Sequence, residues 1–134
     1  MPYLLDSNVW IGVLRGREPA LIRRVKSLPP NEACTCSVVK AELLFGARRS
    51  ADPVKNTALV ESLMAVHASH PFDDLAAQRY ADIRATLESA GTPIGANDLL
   101  IAAITMARGL ISITRNTREF ARVPGLQLED WQTP

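Results

Sequence analysis

Cysteine is scarce in this chain: its 134 residues include two, Cys34 and Cys36. They lie too close in sequence for an ordinary bridge between separate elements, and neither has another cysteine to pair with. Both are expected as reduced thiols in the core, a usage that fits a bacterial-type cytosol. Histidine is equally rare, limited to His67 and His70, which leaves too few soft ligands for a structural zinc site. Long apolar runs are missing as well. The stretch from Tyr3 to Leu14 is cut by Asp6, Ser7 and Asn8 and lacks a basic leader, so neither a signal peptide nor a membrane span is expected, and the chain is expected in the cytoplasm. Charge of one sign is absent too. A formal net charge of +1 argues against a protein that coats polyanions, although acids gathered in one cleft can leave a basic rim elsewhere. With no internal repeat, low-complexity tract or linker, and with 47% apolar residues to build a core, residues 1–134 are expected to form a single domain.

What is present is an alternation of strands and helices. Tyr3, Leu4 and Leu5 read as a strand running into Asp6, and Val9, Trp10, Val13 and Leu14 then recur at helical spacing. A second helix over Pro19 to Leu28 turns Leu21, Ile22 and Val25 inward and stops at Pro29-Pro30, before a strand near Ala33 to Thr35. Ser37 is placed to cap a helix through about Arg49. Asp52-Pro53 opens another, carrying Leu59, Val60, Leu63 and Met64, and a short strand lies within Ser69 to Phe72. Asp73 caps a longer helix whose inward set is Ala76, Ala77, Tyr80, Ile83 and Leu87, closed by a left-handed turn at Gly91. Asn97 to Arg108 is apolar on nearly every face, which predicts a buried helix. Leu110 to Thr114 reads as a strand, Thr117 to Phe120 as a helical turn, and Leu126 to Leu128 as a last strand. Strands separated by helices imply an α/β fold with a parallel sheet covered on both faces.

Three acids stand out against this frame. Ligands of open parallel sheets bind beyond the carboxyl ends of the strands, and Asp6 follows the first strand directly. A cap for the next helix explains Asp6 equally well. Glu42 shares a helical face with Val38 and Phe45 in a run that reads as core-facing, where a carboxylate is costly without a cationic neighbour. Arg49 is the ordinary candidate for that neighbour. Asp98 begins the buried helix, where the dipole favours an acid. If the sheet is wound as read, the three converge on one crevice. Mutual repulsion and burial would then raise their pKa values, and a divalent cation is the natural counter-charge. Hard oxygen ligands select Mg²⁺ or Mn²⁺. Such an ion at the mouth of a sheet suits water activation and phosphoryl chemistry.

Competing chemistries fit less well. His67 and His70 fall at a helix end and the following turn, away from the crevice. Haloacid-dehalogenase-type phosphatases need a second Asp two residues after the first, and here Asn8 holds that place. Receiver domains carry a Lys after a late strand, where this chain has Thr114, Arg115 and Asn116. A non-catalytic RNA- or protein-binding module on the same scaffold would be expected to have lost one or more of the acids.

Taken together, Leu4-Leu-Asp-Ser-Asn8, Ser37-Val-Val-Lys-Ala-Glu-Leu43 with Gly46-Ala47, Ile94-Gly-Ala-Asn-Asp98 and Gly109-Leu-Ile-Ser-Ile-Thr114 form a pattern. Thr114-Arg-Asn-Thr-Arg-Glu-Phe120, Val123-Pro-Gly-Leu126 and Trp131 complete it. It resembles the PIN-domain ribonucleases, specifically the VapC toxins of bacterial toxin-antitoxin pairs, over essentially the whole chain. The resemblance implies a three-layer α/β/α PIN-like fold with a central parallel sheet and a metal-dependent endoribonuclease. It makes Asp6, Glu42 and Asp98 the metal-binding acids. Asn116 stands where many PIN domains carry a fourth Asp, which leaves the metal count open. Thr114 is similar to the residue that hydrogen-bonds the acids or their water, although a strand-end threonine can be structural. Glu119 could contribute through water or be a solvated helix acid, and Ser7 and Asn8 could orient Asp6. The resemblance further implies structured RNA as substrate, most similar to the members that cut the anticodon stem-loop of initiator tRNA. Arg15, Arg17, Arg23, Arg24, Arg115, Arg118 and Arg122 are candidate phosphate contacts or simply a solvated face. A homodimer and a VapB-type antitoxin, whose C-terminal segment blocks the site, are the implied partners.

Overall fold

Three short apolar strands carry the centre of the molecule. In the computed structural model, which describes residues 2–133, they are β1 (Tyr3–Leu5), β2 (Ala33–Cys36) and β4 (Ile111–Ile113), with β3 (Ser69–His70) and β5 (Leu128–Glu129) at the two edges. All five are parallel, in the order β3-β2-β1-β4-β5, with Tyr3 beside both Ala33 and Ile111 and Leu5 beside Ile113. Successive strand residues point to opposite faces, so the burial of all four residues of β2 means that both faces are covered. The covering elements are α1 (Ser7–Arg15), α2 (Pro19–Lys26), α3 (Ser37–Arg48), α4 (Pro53–Ala65), α5 (Asp74–Ser89) and α6 (Ala96–Arg108), with the single turn α7 (Thr117–Phe120) before the last strand. This is the three-layer α/β/α arrangement expected from the sequence.

The chain moves outward from β1 to β2 and β3, then returns to the other side of β1 for β4 and β5. The winding therefore reverses at β1, and a crevice opens between the carboxyl ends of β1 and β4. The Asp6 N–H donates to the Ile113 carbonyl at 2.9 Å, which fixes the residue after β1 against the end of β4. Below this edge the core holds Trp10, Phe120, Leu4, Leu5, Ile101 and Ile104, all fully buried. Burying side chains of this size contributes about 1.5–3 kcal/mol each relative to exposure. Gly16 and Gly109 end α1 and α6 at φ 67° and 63°, a left-handed conformation that a residue with a Cβ adopts only at a cost.

Several local expectations are refined. Ser37 is the first residue of α3, not its cap, because Cys36 holds the extended capping conformation. On α5, Ala76, Ile83 and Leu87 are buried but Ala77 faces solvent, and on α4 Leu59 is exposed while Val60 and Met64 face inward. Asp52 and Asp73 cap α4 and α5 through Lys55 N–H at 3.2 Å and Ala76 N–H at 3.0 Å. No helix among the described residues is long and apolar enough to cross a membrane.

Candidate active site

Asp6 does two things at once. As the cap of α1 its Oδ1 accepts the Ser7 N–H at 2.7 Å, and its Oδ2 accepts the buried Thr114 hydroxyl at 2.9 Å. Capping and site chemistry are therefore not alternatives here. Thr114, at the end of β4, also accepts the Asn116 N–H on its Oγ1 at 3.0 Å, which pins the following loop beside Asp6. Glu42 arrives from α3, and its Oε1 lies 3.2 Å from Ser7 Oγ, which is also 3.3 Å from Asp6 Oδ1. A hydroxyl has one proton, so Ser7 can satisfy only one of these two carboxylates at a time. Asn97 supplies a second donor, Nδ2, at 3.4 Å from Glu42 Oε2. Asp98, on the first turn of α6, accepts Asn116 Nδ2 at 3.2 Å, and the same amide donates to Glu119 Oε2 at 2.8 Å.

A continuous chain of hydrogen bonds thus runs from Glu42 through Ser7, Asp6, Thr114 and Asn116 to Asp98 and Glu119, and it contains no cation. The ion pairs among the described residues, Arg24–Glu129, Arg84–Glu88 and Arg108–Asp73, all lie outside it. Arg49 does not meet Glu42; its guanidinium lies over the Phe45 ring at 5.2 Å. The face shared by Val38, Glu42 and Phe45 is not core-facing, since Phe45 is 62% exposed and Glu42 sits at the rim of the crevice, where water lowers the cost of its charge. Unrelieved negative charge shows on Asp98, whose carboxyl is pushed up to about 6 by burial first and then by Asp6, Glu119 and Glu42. Hard carboxylate oxygens crowded without a counter-ion are the donor set of a divalent cation such as those held by oxygen-only sites. As the side chains lie, no three His, Cys, Asp or Glu groups among the described residues close to the spacing of one ion's coordination shell. Asp6 is turned to Ser7 and Thr114, and Asp98 to Asn116.

Glu119 differs from the solvated acid of the alternative reading. It is tied to Asn116 and to the Gly95 N–H, and these two donors hold its carboxyl below the usual range. Asn97 was not singled out from sequence; its adjacency to Asp98 was the available signal. His67 stays away from the crevice, with Nδ1 at 2.8 Å from the Ala33 carbonyl and its ring 4.7 Å from Trp10. Cys36 borders the site, but burial pushes its thiol up to about 11, so it remains a neutral core group.

The Thr114 hydroxyl serves two partners, so Thr114→Val is expected to leave Asp6 Oδ2 and the Asn116 N–H unsatisfied. The loss should be about 1–3 kcal/mol in urea unfolding, with Thr114→Ser near wild type. Equal midpoints for Val and wild type would show that the hydroxyl organises nothing.

With this geometry in place, comparison with known proteins is informative. A model of the PIN domain matches residues 3–126. The chain belongs to the PIN-domain family. This PIN domain is 38% identical over 131 residues to the tRNA(fMet)-specific endonuclease VapC of Shigella flexneri, covering 98% of each chain. Among solved structures, this PIN domain superposes on a DNA-bound VapBC from Salmonella typhimurium with a TM-score of 0.90 at 37% identity, covering 98% of both chains. VapBC2 from Rickettsia felis, bound to a DNA fragment from its promoter, gives 0.90 at 30% identity, covering 98% of this chain and 99% of that one. PIN-domain nucleases are in general dependent on a divalent metal.

Proposed function

We propose that this protein is the toxin of a VapBC-type pair, an endoribonuclease that hydrolyses phosphodiester bonds of structured RNA, with the anticodon stem-loop of initiator tRNA as its substrate. Asp6, Glu42 and Asp98 would hold the divalent ion, Mg²⁺ or Mn²⁺. The observation that carries this reading is that Asp6, Glu42 and Asp98, from three distant segments, are linked through Ser7, Thr114 and Asn116 at one crevice with no cation among them. When bound, such an ion supplies Lewis acidity toward water and toward the phosphoryl oxygens.

The chain's own residues supply position. Thr114 and Ser7 hold the Asp6 carboxylate in one orientation, and Asn116 holds that of Asp98. Asn97 fixes Glu42 from α6. Side chains locked by neighbours lose little freedom when substrate arrives, which is the condition for efficient use of binding energy. A non-catalytic scaffold is not favoured, because nothing in a purely structural role requires three carboxylates at the mouth of one crevice.

Two apolar surfaces that meet at Glu42 are available to the proposed partners. One is a cleft of about 310 Å³ bounded by Ile11, Leu14, Leu43, Leu59 and Val60, with Glu42 at its border, suited to an apolar segment of the antitoxin that ends over the acids. We assign the other, lined by Val38, Ala41, Phe45 and Leu100, to a second copy of the chain.

Purified protein incubated with initiator tRNA is expected to cut it in Mg²⁺ or Mn²⁺, and EDTA is expected to stop the reaction until metal is returned. Cleavage that persists in EDTA would remove the metal from the mechanism. No cleavage of any structured RNA at saturating metal would remove the nuclease reading.

A further inference from the structure

Of the arginines noted in the sequence, Arg15, Arg17 and Arg115 converge on one cavity of about 300 Å³, although they come from the end of α1, the loop before α2 and the loop after β4. All three are exposed, and none forms an ion pair among the described residues. Two of the others are engaged elsewhere. Arg24 lies 4.1 Å over the Trp131 ring and 3.4 Å from Glu129, and Arg122 donates to the Pro93 carbonyl at 2.8 Å.

Two lining residues link the cavity to the segments that carry the acid site. Asn8 on its wall is two residues from Asp6, and Arg115 stands between Thr114, which donates to Asp6, and Asn116, which donates to Asp98. Two acids lie near it, each hydrogen-bonded to neutral amides. Glu18 accepts the Gln132 amide at 3.2 and 3.3 Å, and Asp130, close enough to feel Arg115, accepts the N–H groups of Gln132 and Thr133. Three arginines against these two acids leave a small excess of positive charge beside a crevice that is otherwise negative.

We infer that Arg15, Arg17 and Arg115 form a docking subsite for a backbone phosphate of the RNA strand outside the scissile bond. The inference rests on the nuclease reading above and deepens it. A polyanion approaching three carboxylates is repelled, and a flanking cationic cavity offsets that repulsion without placing a cation among the acids. A strand cleaved at Asp6 and Asp98 carries further phosphates along its backbone, and Asn8 and Arg115 tie this cavity to the segments that follow β1 and β4. Guanidinium groups meet phosphate oxygens with paired donors, which positions the strand without reading its sequence.

The test compares Arg15→Ala/Arg17→Ala/Arg115→Ala with a control of equal charge loss on α4 and α5, Lys55→Ala/Arg79→Ala/Arg84→Ala. Each is assayed with an anticodon stem-loop RNA for cleavage in Mg²⁺ and for binding in EDTA across a salt series. The cavity variant is expected to raise KM about tenfold with kcat within about twofold, and to reduce the slope of log Kd against log salt by about 1. The control should move neither, and the triple Arg→Lys variant should recover most of the salt slope. A cavity variant that binds and cuts RNA like the control would overturn the subsite while leaving the nuclease intact. Weaker binding of the antitoxin with unchanged RNA binding would overturn it too and assign the cavity to the protein partner. If the wild type cuts no RNA, the nuclease reading fails, and the EDTA binding series alone still decides whether these arginines hold RNA.

Discussion

Asp98→Asn is expected to reduce RNA cleavage by about 10³-fold and, in the same protein, to raise the melting temperature of the metal-free form. The two effects have one cause. In the folded protein the Asp98 carboxyl is pushed up to about 6 by burial and by Asp6, Glu119 and Glu42, against 3.8 for the free side chain. Between these values the folded state binds a proton that the unfolded chain has lost. The group therefore favours folding most below pH 3.8, and that contribution is lost as pH rises through about 6. At neutral pH the charged Asp98 opposes folding, and replacing it with a neutral amide of the same shape removes the opposition. Because the side chain is half-exposed, solvent screening limits the gain to about 1 kcal/mol, or a few degrees in Tm. Melting curves in EDTA from pH 4 to 7 should show the wild type losing stability between pH 4 and about 6 and levelling off above it, while the variant loses less. At saturating Mg²⁺ or Mn²⁺ the order should reverse, since the wild type retains the full set of acids to bind the ion. A variant no more stable than wild type in EDTA at pH 7 would show that the acids are not crowded.

The sheet was legible because each of its central strands is a short apolar run bounded by residues that start helices, so period and punctuation agreed at β1, β2 and β4. The edges were less so. β3 and β5 are each two residues long, and their position depends on the neighbour they pair with more than on their own composition. Asp6 and Asp98 were legible as acids at element junctions, which is a local property. The environment of Glu42 was not, because whether Val38 and Phe45 face a core or a crevice depends on how α3 lies against α1 and α6. Asn97 and Glu119 were hard to place for a related reason. Their partners, Glu42 and Gly95, lie 55 and 24 residues away, and no pattern within one segment encodes such a meeting. The arginines illustrate the same limit: in sequence the seven are equivalent, and the fold gathers three of them at one cavity while it stacks or bonds two others elsewhere.

Asn116→Asp separates the two jobs that position 116 performs. The native amide donates one proton to Asp98 and another to Glu119, at 3.2 and 2.8 Å, and so holds two acids together without adding charge. An aspartate there loses both donations and places a further negative charge against a carboxyl that is already pushed up to about 6. In EDTA the variant is expected to be less stable by about 2 kcal/mol in urea unfolding at pH 7. The penalty should shrink as pH falls and the crowded carboxyls take up protons. Divalent metal should reverse the outcome, because a fourth carboxylate adds both a ligand and a counter-charge for the ion; the affinity of the site for Mn²⁺ should rise by about tenfold. Asn116→Ala isolates the hydrogen bonds, since it loses the same two donations and gains no charge. Asp and Ala variants should therefore both be destabilised in EDTA, and the Asp variant alone should recover beyond the wild-type shift when Mn²⁺ is titrated in. If Asp and Ala respond to Mn²⁺ with the same change in Tm, position 116 lies outside the reach of the ion and the asparagine acts only as a brace between Asp98 and Glu119.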